Sequence, residues 1–349
     1  MKVLHLLTTS HFSGAENVVC QIIEICHSEN CKMIYCSPDG QIRDALKERN
    51  IDFEPLKNFS SKEIARVIGK VMPNIIHAHD MRASYMASKV NRNIPIISHI
   101  HNNGYDARSL SKKTLGYLWA SRRISKIFWV SKSALNDFYF KKIVKKKSIV
   151  LSNILDLDKL ALRASEAYTD VQYDIVFLGR LQYPKNPMRF VDVINKLVKQ
   201  NPDVKAAIIG DGEQRSITVQ KIQELHLQNN ITLLGFISNP LGILKNAKAL
   251  VMTSFWEGTP MSSLEALGLG IPVVSTPVDG LKDIIINENN GYLSNSNDVL
   301  ASQLHKIISN PIYHRQLTIG SLNSARIINN KEKYSNIILH SYRELIDSN

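Results

Sequence analysis

The chain has 349 residues, a formal net charge of +12 and an ordinary 44% of hydrophobic residues. That length exceeds what one core ordinarily carries, so two domains are expected, and the basic balance points to an acidic partner: nucleic acid, an anionic membrane surface or a phosphorylated small molecule. No stretch nears the roughly 18 apolar residues of a spanning helix and the start, MKVLHLLTTSHFSG, does not read as a signal peptide, so a cytoplasmic protein is expected. Cys20, Cys26, Cys31 and Cys36 match no zinc spacing and read as reduced, mostly buried thiols.

Short apolar runs alternate with helix-length segments from the start. A strand is expected at 3–7, then a helix over 15–28 that places Val18, Val19, Ile22, Ile23 and Ile25 toward a core. A strand at 33–36, a helix at 42–48 and strands at 75–78, 94–100, 127–130 and 149–151 follow. The pattern weakens over 153–173, which reads as a linker. It restarts with a strand at 174–178, a helix at 186–200, a strand at 204–209, a helix at 213–227 and strands at 231–234 and 249–253. A helix from 260, a strand at 272–275 and a last helix over 332–345 complete it. Continuous apolar strands alternating with helices mean parallel sheets covered on both faces. The fold class expected is α/β. Two Rossmann-like domains, 1–160 and 170–330, would face each other across a cleft, with 332–349 packing back on the first.

One stretch carries chemistry. In FWEGTPMSSLEALGLGIPVVST, residues 255–276, Thr259 reads as an N-cap and Pro260 as the first helical residue. Glu257 then lies in the loop before a helix and Glu265 inside it. The first N–H groups of such a helix suit a phosphate, and Gly258 lets a ligand approach the backbone. Carboxylates accept hydrogen bonds from hydroxyls. Helix-start donors flanked by two carboxylates fit a ligand with both phosphates and hydroxyls, as a sugar nucleotide has.

EGTPMSSLEALGLGIPVV resembles the signature of the family-4 glycosyltransferases, in which two glutamates stand eight positions apart. These are retaining enzymes of the two-Rossmann GT-B fold, and several bacterial members build capsules or exopolysaccharides. Further landmarks follow in the family's order: FSGAE (12–16), IIHAHD (75–80), ISHIHNN (97–103), VLSN (150–153), FLGRLQYPKNP (177–187), IIGDGEQR (208–215) and ITLLGFIS (231–238). The chain departs from the pattern at Ser13, Ile154 and Asn186-Pro187, where the family often has glycine.

The resemblance implies roles by position. Arg180 and Lys185 would hold the donor diphosphate and stabilise the leaving group. Glu257 would contact the sugar hydroxyls and Glu265 the ribose. Gly258, Thr259, Pro260, Met261 and Ser262 would present backbone donors. Gly14, Gly210, Asp211, Gly212, Gly235 and Phe236 would complete the donor site, although a plain turn explains Asp211 equally well. His101 would lie near the donor sugar, with Asp80 and Asn102 on the acceptor side. His77, His79 and His99 also stand at strand ends, but no acid pattern beside them suits a metal, and neither a metal nor another cofactor is expected. The implied activity is transfer of a hexose-type sugar from a nucleotide sugar, a UDP-sugar in the first instance, to a hydroxyl of a growing lipid-linked cell-surface glycan. The alternative is a nucleotide-sugar epimerase of the same double fold. A dinucleotide oxidoreductase would need more than the single glycine of TTSHFSGAE, and a non-catalytic nucleotide-sugar sensor would not need all four of Arg180, Lys185, Glu257 and Glu265.

Residues 108–147 hold twelve cations (Arg108, Lys112, Lys113, Arg122, Arg123, Lys126, Lys132, Lys141, Lys142, Lys145, Lys146 and Lys147) against one acid, Asp137. Leu110, Leu115, Leu118, Trp119, Ile124, Phe138, Tyr139 and Phe140 are interleaved. Such a segment suits peripheral binding to the anionic inner face of a cell membrane. No recognition motif supports nucleic acid as the partner.

Overall fold

The structure is a computed structural model that describes residues 1–347 apart from 13, 29, 92, 102–103, 168–171 and 279. The chain divides into two compact units, Met1–Ile154 with Asn330–Asn349, and Leu155–Asn329.

The first unit is built on β1 (Lys2–Leu6), β2 (Lys32–Cys36), β3 (Ile75–His79), β4 (Ile96–Ile100), β5 (Ile124–Trp129) and β6 (Ser148–Val150). They form one parallel sheet in the order β2-β1-β3-β4-β5-β6. Every residue of β3 and β4 is buried, as expected of strands covered on both faces. The helices are α1 (Gly14–Cys26), α2 (Ile42–Glu48), α3 (Ser61–Val71), α4 (Asp80–Val90), α5 (Tyr105–Arg108), α6 (Lys112–Ser121), α7 (Lys132–Asp137) and α8 (Lys141–Val144). α3 begins where the Ser60 side chain accepts from the Glu63 N–H, and it buries Ile64, Val67 and Val71 at helical spacing.

The second unit repeats the plan. Its strands β7 (Ile175–Leu178), β8 (Ala206–Ile209), β9 (Ile231–Gly235), β10 (Ala249–Met252), β11 (Val273–Ser275) and β12 (Gly291–Leu293) lie parallel in the order β12-β11-β10-β7-β8-β9. Around them pack α9 (Leu157–Glu166), α10 (Pro187–Val198), α11 (Arg215–Glu224), α12 (Leu241–Lys245), α13 (Met261–Gly268), α14 (Leu281–Ile284), α15 (Asn297–Ser309) and α16 (Pro311–Ile328). The order runs outward from β7 through β8 to β9, then restarts with β10 on the other side of β7. Ligands in open α/β sheets bind at the carboxyl ends of strands at such a switch point. The loops after β7 and β10 meet this condition here, and those after β1 and β3 meet it in the first unit. The expected return of the C-terminal helix occurs: α17 (Lys331–Asp347) packs on α1 and buries Tyr334, Ile338 and Tyr342.

Two expectations are corrected. Residues 153–173 are not a bare linker, because α9 lies within them. Asp156 caps it by accepting from the N–H groups of Asp158 and Lys159, and only Leu160 and Ala164 are buried, which leaves little apolar period to read. The helix of the glutamate stretch starts one residue later than expected. Pro260 is extended, with ψ 128°, and is itself the N-cap, so Thr259 precedes the cap.

Candidate active site

In the second unit the loops after β7 and β10 are tied to each other. The Phe255 N–H donates to the Pro184 carbonyl at 2.9 Å, and the Thr253 hydroxyl donates to the Asn186 carbonyl at 2.9 Å. Asn186 takes a left-handed conformation, φ 49°, and its side chain caps α10. These ties set Lys185 against Glu257. Lys185 Nζ lies 2.6 Å from Glu257 Oε1, and the Ser254 hydroxyl donates to the same oxygen at 2.6 Å. The pair is largely enclosed, with Lys185 25% and Glu257 10% exposed at the side chain. Arg180 follows β7 and is exposed, and its side chain has no ion pair among the described residues.

Gly258 is fixed from behind. Its carbonyl accepts from the Gly280 N–H at 3.0 Å, and a Cβ on Gly280 would stand 2.1 Å from that oxygen. α13 follows, and the N–H groups of Ser263 and Leu264 donate to the Pro260 carbonyl. The N–H groups ahead of them, on Met261 and Ser262, have no acceptor within the helix. Glu265 sits on α13 with part of its surface in solvent. Its carboxyl lies deep enough that burial pushes its pKa up to about 7, against a smaller opposing effect of Arg163.

The remaining donor-side residues line the ends of β8 and β9. Gly210 has φ 136°, and a Cβ there would meet the Gly179 carbonyl oxygen at 2.1 Å. Asp211 Oδ1 accepts from the Gly212 N–H at 2.7 Å, which gives it a role in the turn itself. Gly235 has φ 72°, and Phe236 beside it is 80% exposed. The sequence reading missed an aromatic cluster beside the Lys185–Glu257 pair. Tyr183 lies 4.9 Å from Phe255 and 5.8 Å from Trp256 between ring centroids. The signal was present as a tyrosine two residues before Lys185 and an FW pair before Glu257.

The first unit holds a second set. Gly14 opens α1, and a Cβ there would find open space. Asp80 begins α4 at φ 68°, and its Oδ1 accepts from the His101 backbone N–H at 3.0 Å. The His101 ring meets His79, with Nε2 2.8 Å from His79 Nδ1. His5, which the sequence reading passed over, joins the histidines on the same face of the sheet, 3.1 Å from His79. Asn102 lies outside the described residues.

The basic segment is only partly a free face. Lys126 pairs with Glu344 of α17, and Lys147 donates to the carbonyls of Ser121 and Ile124. Arg123 stacks over Trp119 and donates to the Ser88 carbonyl. Ile124 and Phe138, expected among the interleaved anchors, belong to the core. Leu110, Leu115, Trp119, Tyr139 and Ile143 are exposed, alongside the exposed Lys112, Lys113, Lys141, Lys142, Lys145 and Lys146. Among the described residues no helix is long and apolar enough to cross a membrane.

Comparison with known proteins bears on this arrangement. Residues 158–322, most of the second unit, match the family described as glycosyl transferases group 1. The fold is the GT-B fold, and the group 1 glycosyltransferase match lies within the second unit. The chain is 30% identical over 207 residues to an uncharacterized glycosyltransferase of Methanocaldococcus jannaschii, a match covering 57% of this chain and spanning half the length of that protein. The chain is 24% identical over 336 residues to the UDP-Gal:alpha-D-GlcNAc-diphosphoundecaprenol alpha-1,3-galactosyltransferase of Escherichia coli, covering 86% of this chain and 85% of that one. The crystal structure of Anabaena HepE in complex with UDP-glucose superposes with a TM-score of 0.86 at 17% identity, over 99% of this chain and 100% of that one, a likeness of fold.

Proposed function

We propose that this protein is a glycosyltransferase that moves a hexose-type sugar from a nucleotide-sugar donor, a UDP-sugar, to a hydroxyl of a growing lipid-linked glycan, with retention of configuration. The observation that carries the reading is the enclosed Lys185–Glu257 pair at the switch point of the second unit, with the start of α13 directly behind it. Arg180 and Lys185 hold the diphosphate, and the first N–H groups of α13 add donors to phosphate or sugar. Donor binding draws Lys185 from Glu257 to the diphosphate and frees Glu257 to accept from the sugar hydroxyls. Glu265 takes the ribose hydroxyls. Gly210, Asp211, Gly212, Gly235 and Phe236 shape the nucleotide end of the site, and Gly14 is a further donor-binding residue of this reading.

The reaction is a same-face displacement. The bond from the sugar's anomeric carbon to the phosphate oxygen breaks, and its electron pair leaves with the nucleoside diphosphate. The acceptor oxygen bonds to that carbon on the same face, and its proton passes to the departing phosphate. The protein orients both partners and stabilises charge as it builds on the leaving group. Arg180 and Lys185 supply that positive charge, so no metal ion is part of the proposal. His101 contacts the donor sugar, and Asp80 and Asn102 stand on the acceptor side. The E. coli relative's lipid-linked acceptor supports a cell-surface polysaccharide as the product and a peripheral place on the inner face of the membrane. The group 1 match favours transfer over epimerisation.

A thermal-shift screen over nucleotide sugars tests the reading. One donor should raise Tm by several degrees at concentrations well above its Kd, because ligand binds the folded state alone. No shift with any donor would sink it.

A further inference from the structure

The first unit holds an array of five histidines: His5 on β1, His77 and His79 on β3, His99 on β4, and His101 just past β4. His5 lies in register with His77, and His79 with His99. Three of the rings meet edge to edge. His5 Nδ1 is 3.1 Å from His79 Nε2, with centroids 5.4 Å apart and planes at 17°. His79 Nδ1 is 2.8 Å from His101 Nε2, with centroids 5.1 Å apart and planes at 25°. Each centroid spacing is close to the nitrogen–nitrogen distance plus two ring radii, so the rings are nearly coplanar and joined in line. His77 on His79, at 4.5 Å, and His99 on His101, at 4.3 Å, lie face to face instead.

Burial holds the three joined rings neutral. It pushes His5 down to about 3 and His79 well below the ordinary value, and it lowers His101 against the opposing pull of Asp80 and Glu16. A neutral imidazole has one N–H and one lone pair. When every link runs from Nδ1 to Nε2, one ring's tautomer dictates the next. All three carry the proton at Nδ1, or all three carry it at Nε2. The outer ends, His5 Nε2 and His101 Nδ1, are buried and have no partner among the described residues. Asp80 and Glu16 lie toward the His101 end and favour the arrangement whose N–H faces them.

We infer that His5, His79 and His101 form a tautomer-locked imidazole chain. In it His79 and His5 are positioning residues that present His101 Nδ1–H as a hydrogen-bond donor to a hydroxyl or phosphate oxygen of the substrate. The use of the chain rests on His101 touching substrate; the chain itself does not. The same histidines also form two groups of three nitrogens within 4.8 Å of one another, His5 with His77 and His79, and His79 with His99 and His101. A zinc-like ion needs lone pairs converging on a point roughly 2.0–2.1 Å from each nitrogen. Here His79 and His101 point at each other, and His99 lies face-on to His101.

Long-range proton–nitrogen correlation on the full-length protein, labelled at histidine, reads each ring's tautomer without any substitution. Nδ1–H is expected at His5, His79 and His101 alike. Opposite tautomers on neighbouring rings would overturn the chain, as would a stoichiometric ion retained after incubation with zinc chloride and gel filtration. Kinetics test the use. His79→Phe fills the space but cannot donate, and kcat is expected to fall about ten-fold or more with little change in KM. His79→Gln still donates to His101 and should recover most of that loss. Equal turnover in the two variants would overturn the positioning role. Full turnover in His101→Phe would overturn the substrate contact alone, because the tautomer measurement on the unaltered chain stands apart from it.

Discussion

Lys185 and Glu257 neutralise each other while no donor is bound, so the two side chains have linked fates. Glu257→Gln keeps the shape, leaves Lys185 without its carboxylate and weakens acceptance from the sugar hydroxyls. Turnover should drop about a hundred-fold, the size of effect seen when one preorganised group at a developing charge is lost. The melting temperature should move little, since Lys185 retains a path to solvent. Near-normal transfer by this variant would remove Glu257 from the mechanism. Glu265 makes a different prediction. Its carboxyl holds a proton more tightly folded than unfolded, with a pKa raised to about 7 from 4.5. It therefore contributes stability that is complete below the unfolded value and is lost as pH rises through 7, on the order of 2–3 kcal/mol. Glu265→Gln mimics the protonated form and should flatten that part of the stability–pH curve in denaturant titrations between pH 4.5 and 8. An unchanged slope would mean the carboxyl is better solvated than its position implies.

At the scale of elements, backbone clearance decides how the loops fit. Gly210 carries the chain past the end of β7, where a Cβ would stand 2.1 Å from the Gly179 carbonyl oxygen, at a φ that side chains rarely adopt. Gly210→Ala should destabilise the protein by roughly 2–4 kcal/mol and displace Arg180, lowering donor affinity along with Tm. Unchanged melting would show that the β8 loop can move aside. This loop was legible in the sequence as a glycine-bounded turn after an apolar run. The strands were legible too: β7 and β10 are continuous apolar runs, and β1 and β3 are apolar runs interrupted by histidines. α9 was hidden because it buries only two residues. His5 was passed over as one polar residue within an apolar strand, since nothing in its local sequence says that β1 lies beside β3. The cations that turn inward, Lys126 and Lys147, looked like surface charge because their partners, Glu344 and the carbonyls of Ser121 and Ile124, are distant in sequence.

For the whole molecule, the charge of +12 is unevenly placed, and the first unit carries the exposed lysines of α6 and α8 beside Leu110, Leu115, Trp119, Tyr139 and Ile143. Basic side chains contribute about 1 kcal/mol each near an anionic surface, and the apolar side chains add burial in the interface. Sedimentation with vesicles containing phosphatidylglycerol should carry the protein down at low salt, neutral vesicles should not, and replacing Lys141, Lys142, Lys145 and Lys146 by Ser should abolish the difference. Equal sedimentation with both vesicle types would rule out this face. The division of the chain has a consequence in time as well. The second unit is one unbroken stretch, whereas the first needs α17, made after all of it, to bring Tyr342 to 2.7 Å from His77. On the ribosome, the unit begun first is therefore the last to be finished. Until the final turns of α17 emerge, the histidine face of its sheet stands open to water and to chaperones while the second unit is already complete.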